Sequence, residues 1–223
     1  MALYRVCFAV GLAVLAASML AGFGRVLATE HQLPGLSRDP FLVAQRDLAH
    51  GREQAAAREY RTGAAVNRAD FSIQLSAADG LARAHDLQGA LATLDHAETL
   101  RPGDVRTQNT RGRAYLANGR LQEAFTTFGE ALRRAPGDAD AMAGVGEVML
   151  AQGRFPEAET AFRRALQARP GDAALHDALA VTLAGAGRHA EAAGEFEQAM
   201  ALGPSPDRAA NLARARREAA AKP

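Results

Sequence analysis

The chain has 223 residues, 48% hydrophobic but only 5% aromatic and without Trp, and 26 basic side chains against 25 acidic ones leave a formal charge of +1. That balance lacks the concentrated basic face of an electrostatic nucleic-acid binder. The single cysteine, Cys7, excludes an intrachain disulfide framework and a Cys-rich metal site, and Ala and Leu must supply most of any core, which suits closely packed helices.

Met1 to Arg5 carries one cationic side chain, and Val6 to Gly24 then runs without a charge. As a helix rising about 1.5 Å per residue, this run nearly spans a bilayer core of about 30 Å. Two readings of residues 1–28 stay open. One is a signal peptide cut after Ala28, with the small residues Val26 and Ala28 before the cut. The other is a retained transmembrane anchor, favoured because the run exceeds the usual signal core of about 7–15 residues and because Arg25 intrudes before the cut site. Cys7 has no hydrophobic stretch before it and is not a lipoprotein cysteine. Arg5 and the terminal amine nearly balance Arg25 and Arg38, so flanking charge barely sets the orientation. A first segment of this kind most often leaves the N-terminus inside, which places the rest outside the cytoplasm. Residues 29–36, with Pro34 and Gly35, read as a linker.

Pro102, Pro136, Pro170 and Pro204 recur every 34 residues, the first three in the phrases Arg101-Pro102-Gly103-Asp104, Ala135-Pro136-Gly137-Asp138 and Arg169-Pro170-Gly171-Asp172. A fixed period of this length marks a helix–turn–helix array. It divides the chain into repeats at 71–104, 105–138, 139–172 and 173–206, each with a helix A and a helix B. In the third, Ala139 to Gln152 reads as helix A, Gly153-Arg154 as the turn, and Pro156 to Ala168 as helix B. Pro156 suits a first helical turn, and Asp138 and Asp172 are placed to cap the helices that follow. Gly119, Gly153 and Gly187 mark the internal turn, where a positive φ is cheap only for glycine; the repeat at 71–104 has His85-Asp86 there, a less ideal turn.

Small and large positions share the period. Ala90, Ala124, Ala158 and Ala192 open helix B; Leu94, Phe128, Phe162 and Phe196 follow four residues later on the same face, and Ala97, Ala131, Ala165 and Ala199 complete the stripe. On helix A, Leu81, Tyr115, Met149 and Leu183 fill a large site, with Ala78, Gly112, Gly146 and Ala180 three residues earlier. Gly112-Arg113-Ala114-Tyr115, Gly119, Ala124, Phe128, Ala131 and Pro136 closely resemble the tetratricopeptide-repeat signature, although Gln108 and Arg111 stand where its leading tryptophan and leucine belong. The resemblance covers 71–206. It implies an all-α, right-handed superhelical solenoid whose concave groove is lined mainly by A helices, here preceded by an N-terminal hydrophobic helix.

A degenerate copy is expected at 37–70, where Gly51, Ala56 and Tyr60 fall on the period and Asp39-Pro40 reads as a cap and first turn. Against it, Asp47 occupies the large apolar position and Arg68 replaces the proline. Residues 207–223 read as a capping helix and tail. In that helix Leu212, Ala209 and Ala213 would pack inward, while Arg208, Arg214, Arg216, Arg217 and Glu218 face water.

No chemistry emerges. The histidines His31, His50, His85, His96, His176 and His189 include no pair at the i, i+4 spacing of a helical zinc site. Gly144-Val145-Gly146 falls inside helix A and lacks the rest of a phosphate loop, and no serine sits in a nucleophile elbow. Neither catalysis, cofactor nor metal is expected. The candidate site is the groove: Asp79, Arg83, Arg106, Asn109, Arg113, Asp140, Glu147 and Asp177 are its expected polar lining, able to take an extended peptide or a partner helix. The same residues also suit a solvated face of weak ion pairs. Family members that grip a C-terminal carboxylate use a Lys/Asn/Arg set, and here the only lysine is Lys222. The expected partners are thus proteins or peptides rather than nucleic acid, with membrane contact through the N-terminal segment if it is uncut. The reading is a scaffold of the bacterial envelope. Arg208-Ala209-Ala210-Asn211-Leu212-Ala213 weakly resembles the endings of tight-adherence pilus-assembly proteins, which suggests pilus or secretion assembly. A substrate-binding or regulatory subunit of an envelope enzyme, or a cytoplasm-facing anchored adaptor, are the alternatives.

Overall fold

The computed structural model describes residues 39–221. The readings placed on residues 1–28 and 29–36 lie outside the described residues. The described part is an all-α solenoid of consecutive antiparallel hairpins, with no strand among the described residues. The hairpins are α1 (Pro40–Ala49) with α2 (Glu53–Val66), α3 (Phe71–Arg83) with α4 (Leu87–Leu100), α5 (Val105–Ala117) with α6 (Leu121–Arg134), α7 (Ala139–Ala151) with α8 (Phe155–Ala168), and α9 (Ala173–Gly185) with α10 (His189–Leu202); a single helix, α11 (Pro206–Ala220), follows. None of these helices is long and apolar enough to cross a membrane.

Each internal turn closes with the same pair of backbone bonds. In α7–α8, Gly153 N–H donates to Leu150 and Arg154 N–H to Met149, the pattern of a left-handed helix terminus. The residue at that terminus has positive φ in all five hairpins: Gly51, Gly119, Gly153 and Gly187, with φ between 69° and 72° for the first three and 76° for the last, and His85 at 55°. His85 thus adopts the glycine conformation in the turn that the sequence marks as less ideal.

Aspartates begin the A helices. Asp70 accepts from Ser72 and Ile73 N–H, Asp104 from Arg106, Asp138 from Ala141, and Asp172 from Ala174 and Leu175. Three B helices start differently. Arg120, Arg154 and Arg188 stand at the N-cap without a capping side chain, and each turns its guanidinium onto the glutamate three residues on: Arg120 onto Glu123, Arg154 onto Glu157 at 2.8 Å, and Arg188 onto Glu191 at 2.6 Å. Those bonds hold the Glu123, Glu157 and Glu191 carboxyls below their ordinary range.

The periodic stripe is the core. Ala90, Ala124, Ala158 and Ala192, and Ala97, Ala131, Ala165 and Ala199, are wholly buried, as are Leu94, Phe128 and Phe162, with Phe196 nearly so. A methyl added at Gly112 would lie 2.6 Å from the Phe128 ring, and one at Gly144 closer still. The ring is therefore clasped between the A helix of its own hairpin and that of the next. Around α5 the core turns polar: Thr107, Gln108, Asn109 and Thr110 are buried, and Ala114 is the helix's one fully buried side chain that is apolar. Asp47, at the large apolar position of α1, is also buried; Arg52 bonds it at 2.7 Å and holds its carboxyl low.

α11 lies on the last hairpin in a phase other than the expected one. Ala215 is its buried residue and Leu212 packs beside it, whereas Ala209 and Ala213 are exposed. Arg208, expected in water, turns inward and donates to Asp177 at 2.7 Å and to the Gly203 carbonyl at 2.5 Å. Residues 208, 212 and 215 share one face by helical spacing; the aspartate waiting on α9 selects that face.

Candidate functional site

A helix can bury only part of its circumference, and each A helix leaves one stripe outward at i, i+3 or i+4, and i+7. On α3 the stripe is Ser72, Ser76, Asp79 and Arg83; on α5, Arg106 and Arg113, with the buried Asn109 between them; on α7, Asp140 and Glu147; on α9, Asp177 and Val181. Three of these helices, with the first hairpin, enclose a cavity of about 540 Å³. Asp79, Arg83, Arg106, Asn109, Arg113 and Asp140 all line it. Glu147 and Asp177 are not among its lining residues: Glu147 occupies the Arg113 position one repeat on, and Asp177 lies further along, bonded to Arg208.

The charges inside are largely spoken for. Arg106 makes two hydrogen bonds to Asp104, at 3.0 and 2.7 Å, and stacks over Phe71 at 5.0 Å, with Arg101 over the same ring at 4.8 Å. Asp104 is held low by that contact. Arg113 Nε lies 3.4 Å from Asp79, and its Nη2 donates to Thr110 Oγ1 at 3.1 Å. Asp140 meets Arg169 at 2.6 Å. Asn109 Nδ2 donates to Asp138 Oδ1 at 3.1 Å, which leaves Asn109 Oδ1 buried without a partner. Arg83 has no ion pair among the described residues, and its field reaches Tyr60. Glu147 is exposed at the groove surface, yet surrounding protein pushes its carboxyl up, with Arg113 opposing.

The sequence reading missed the cavity's other wall, formed by Phe41 and Gln45 of α1 and Tyr60 of α2. The ring of Phe41 meets Tyr60 edge-on at 5.7 Å, and Tyr60 rests against Gly80, where no side chain intervenes. Burial raises the Tyr60 hydroxyl's pKa; Arg83 counters this and Asp79 adds to it. The available signal was Tyr60 standing on the period of Leu94 and Phe128. Among the described residues no group of three or more His, Cys, Asp or Glu side chains is arranged to hold a metal ion.

Residues 109–173 match the family model described as tetratricopeptide repeat. A search of curated proteins finds no match. Among solved structures, the chain is similar to TTC0263, a thermophilic repeat protein of this type from Thermus thermophilus, at 23% identity, over 80% of this chain and 97% of that one, with a TM-score of 0.61. It is also similar to a chain of the APC/C hetero-tetramer Cut9-Hcn1, at 19% identity and a TM-score of 0.57, over 79% of this chain but 35% of that one, so it spans about a third of that relative. MamA residues 41 to the end from Desulfovibrio magneticus RS-1 share 23% identity over 78% of this chain and 99% of that one, with a TM-score of 0.50. At these identities the likenesses speak for fold. The tetratricopeptide-repeat match thus covers residues 109–173, and the described hairpins share the fold of solved tetratricopeptide-repeat proteins.

Proposed function

We propose that the chain is a non-catalytic scaffold of the bacterial cell envelope that holds a protein or peptide in the groove of its A helices. The repeat fold is one of protein–protein interaction scaffolds. What carries the reading is the cavity of about 540 Å³ whose wall brings together six of the eight polar residues expected at the groove. Mixed charge on such a surface selects partners by complementary pattern and governs association rate more than fold. The envelope location rests on the uncharged run Val6 to Gly24, and a role in pilus or secretion assembly rests on the short phrase Arg208 to Ala213.

Photoreactive side chains installed in cells at Ser76 or Ala117, exposed on A helices, test the reading against Thr126, exposed on α6. Cross-links to one discrete protein from the first two sites and not from Thr126 support it; the reverse pattern moves binding to the B helices. A phosphatase fused after Pro223 is expected to be active only if the array lies outside the cytoplasm. An inactive fusion with an active cytoplasmic reporter at the same place points to the cytoplasm-facing adaptor.

A further inference from the structure

We propose that the groove beyond the first cavity takes an extended, polyproline-like segment of a partner that sets a Lys or Arg side chain on Glu147 and an apolar side chain, three residues away, in a second cavity at Val181. The proposal rests on the scaffold reading and names the chemistry of its partner.

The first observation is an unanswered charge. Four carboxylates stand on the outward stripe of the A helices. Asp79 is met by Arg113 at 3.4 Å, Asp140 by Arg169 at 2.6 Å, and Asp177 by Arg208 at 2.7 Å. Glu147 has neither an ion pair nor a hydrogen bond among the described residues. Arg113, the cation whose field reaches it, is turned to Asp79 and Thr110. Its carboxyl is pushed up by the surrounding protein, so an incoming cation would meet an acid that the chain itself leaves uncompensated.

The second observation is a cavity of about 350 Å³ between α9, α10 and α11, with Val181, Ala184, Gly185, Phe196 and Ala215 as its apolar lining. Val181 is 45% exposed and occupies the register of Asp79, Arg113 and Glu147, so the stripe changes there from charged to apolar. The cavity has a cause in the sequence. Helix B begins with Leu87, Leu121 and Phe155 in the three preceding hairpins and with His189 in the last. Phe155 packs so closely on the next A helix that a methyl at Gly185 would come within 2.5 Å of its ring. The smaller, polar His189 leaves the corresponding space under α11 unfilled, with its Nδ1 3.1 Å from a Glu218 oxygen but out of hydrogen-bond alignment.

The two features stand in the same register on successive A helices. Packed helices lie about 8–10 Å apart, and a polyproline II segment repeats its face every three residues, at about 3.1 Å per residue. Side chains at positions i and i+3 of such a segment therefore match Glu147 and Val181. A strand would turn i+3 to its other face, and a helix would need about seven residues to cover the distance.

Fluorescent peptide pools test this on the full chain in detergent micelles, with binding read by anisotropy. The pools fix Lys-x-x-Leu, Glu-x-x-Leu, Lys-x-x-Ser, Lys-Leu, or Lys and Leu seven apart, with random residues elsewhere. Lys-x-x-Leu is expected to bind best. Glu147→Gln should erase the preference for Lys over Glu, about fivefold, the size of a favourable surface ion pair, while leaving Leu over Ser intact. Val181→Asp should do the converse. Both positions are exposed, and unchanged circular dichroism confirms folding. Equal binding of all pools, binding of none, or preference for the seven-residue spacing overturns the proposal. If groove photo-cross-links persist in that event, the scaffold reading survives alone; if they also fail, both fall.

Discussion

A methyl group added at Gly144, on α7, falls within overlap distance of three Phe128 ring carbons. The ring cannot move aside, because it is wholly buried and Gly112 backs its other side. Overpacking of this kind costs about 1–3 kcal/mol, and alanine's advantage over glycine within a helix returns about 1 kcal/mol. Gly144→Ala should therefore destabilise by up to about 2 kcal/mol after that offset. Gly129, on α6, is the control: a methyl there meets nothing within 4 Å, so Gly129→Ala should stabilise by about 1 kcal/mol. Urea midpoints at constant slope measure both. If Gly144→Ala raises the midpoint as Gly129→Ala is expected to, the clasp of two A helices around Phe128 is wrong.

His85→Gly should raise stability by up to about 1 kcal/mol, since it relieves a side chain held at positive φ; a loss in the urea midpoint would contradict the turn geometry. Thr107→Val removes a wholly buried hydroxyl that has no partner and should stabilise by about 1 kcal/mol, measured the same way. Phe162→Ala should cost about 3–5 kcal/mol, against about 0.5 kcal/mol for Arg113→Ala at the groove surface; equal melting shifts would refute the helix phase. On acidification, Glu123, Glu157, Glu191, Asp47 and Asp104 have depressed folded pKa values. Their stabilisation is full above the unfolded carboxylate range, about pH 4, and is lost as pH falls through the lower folded values. Glu147, raised, has the opposite sign. Melting should therefore weaken below about pH 4, and Glu147→Gln should raise the melting temperature near neutrality.

The fold was legible because a repeat writes the same contact several times. Ala124, Phe128 and Ala131 recur as Ala158, Phe162 and Ala165, and all six are wholly buried. Aspartate caps were legible too, since a short acceptor before a helix has one common use. The phase of α11 was not: in an alanine-rich helix, Ala209, Ala213 and Ala215 carry nearly equal apolar weight, and Asp177 decided between them from α9. The arginine–glutamate pairs at the starts of the B helices escaped notice because an arginine beside a turn reads equally well as solvated. At the candidate site the stripe was legible, but its free charges were not. The partners that answer Asp140 and Asp177 come from residues 29 and 31 positions away, and only the packing of successive hairpins brings them near.

The polar interior of α5 joins stability to the groove. Stability in a repeat array is approximately the sum of repeats and their nearest-neighbour interfaces, so a helix that buries Thr107, Gln108, Asn109 and Thr110 contributes less to its interfaces than α7 or α9. Two of those residues face the cavity as well as the core. Asn109 bonds the carboxylate that caps α7, and Thr110 accepts from Arg113 and helps to fix its guanidinium near Asp79. An apolar Leu at either place would strengthen the seam but release the cap or the arginine. Strain or weakness retained where a site is built is the usual exchange between stability and function. Here it falls on the helix that lies between Asp79 and Glu147, where the groove's alternating charge depends on Arg113 holding its position.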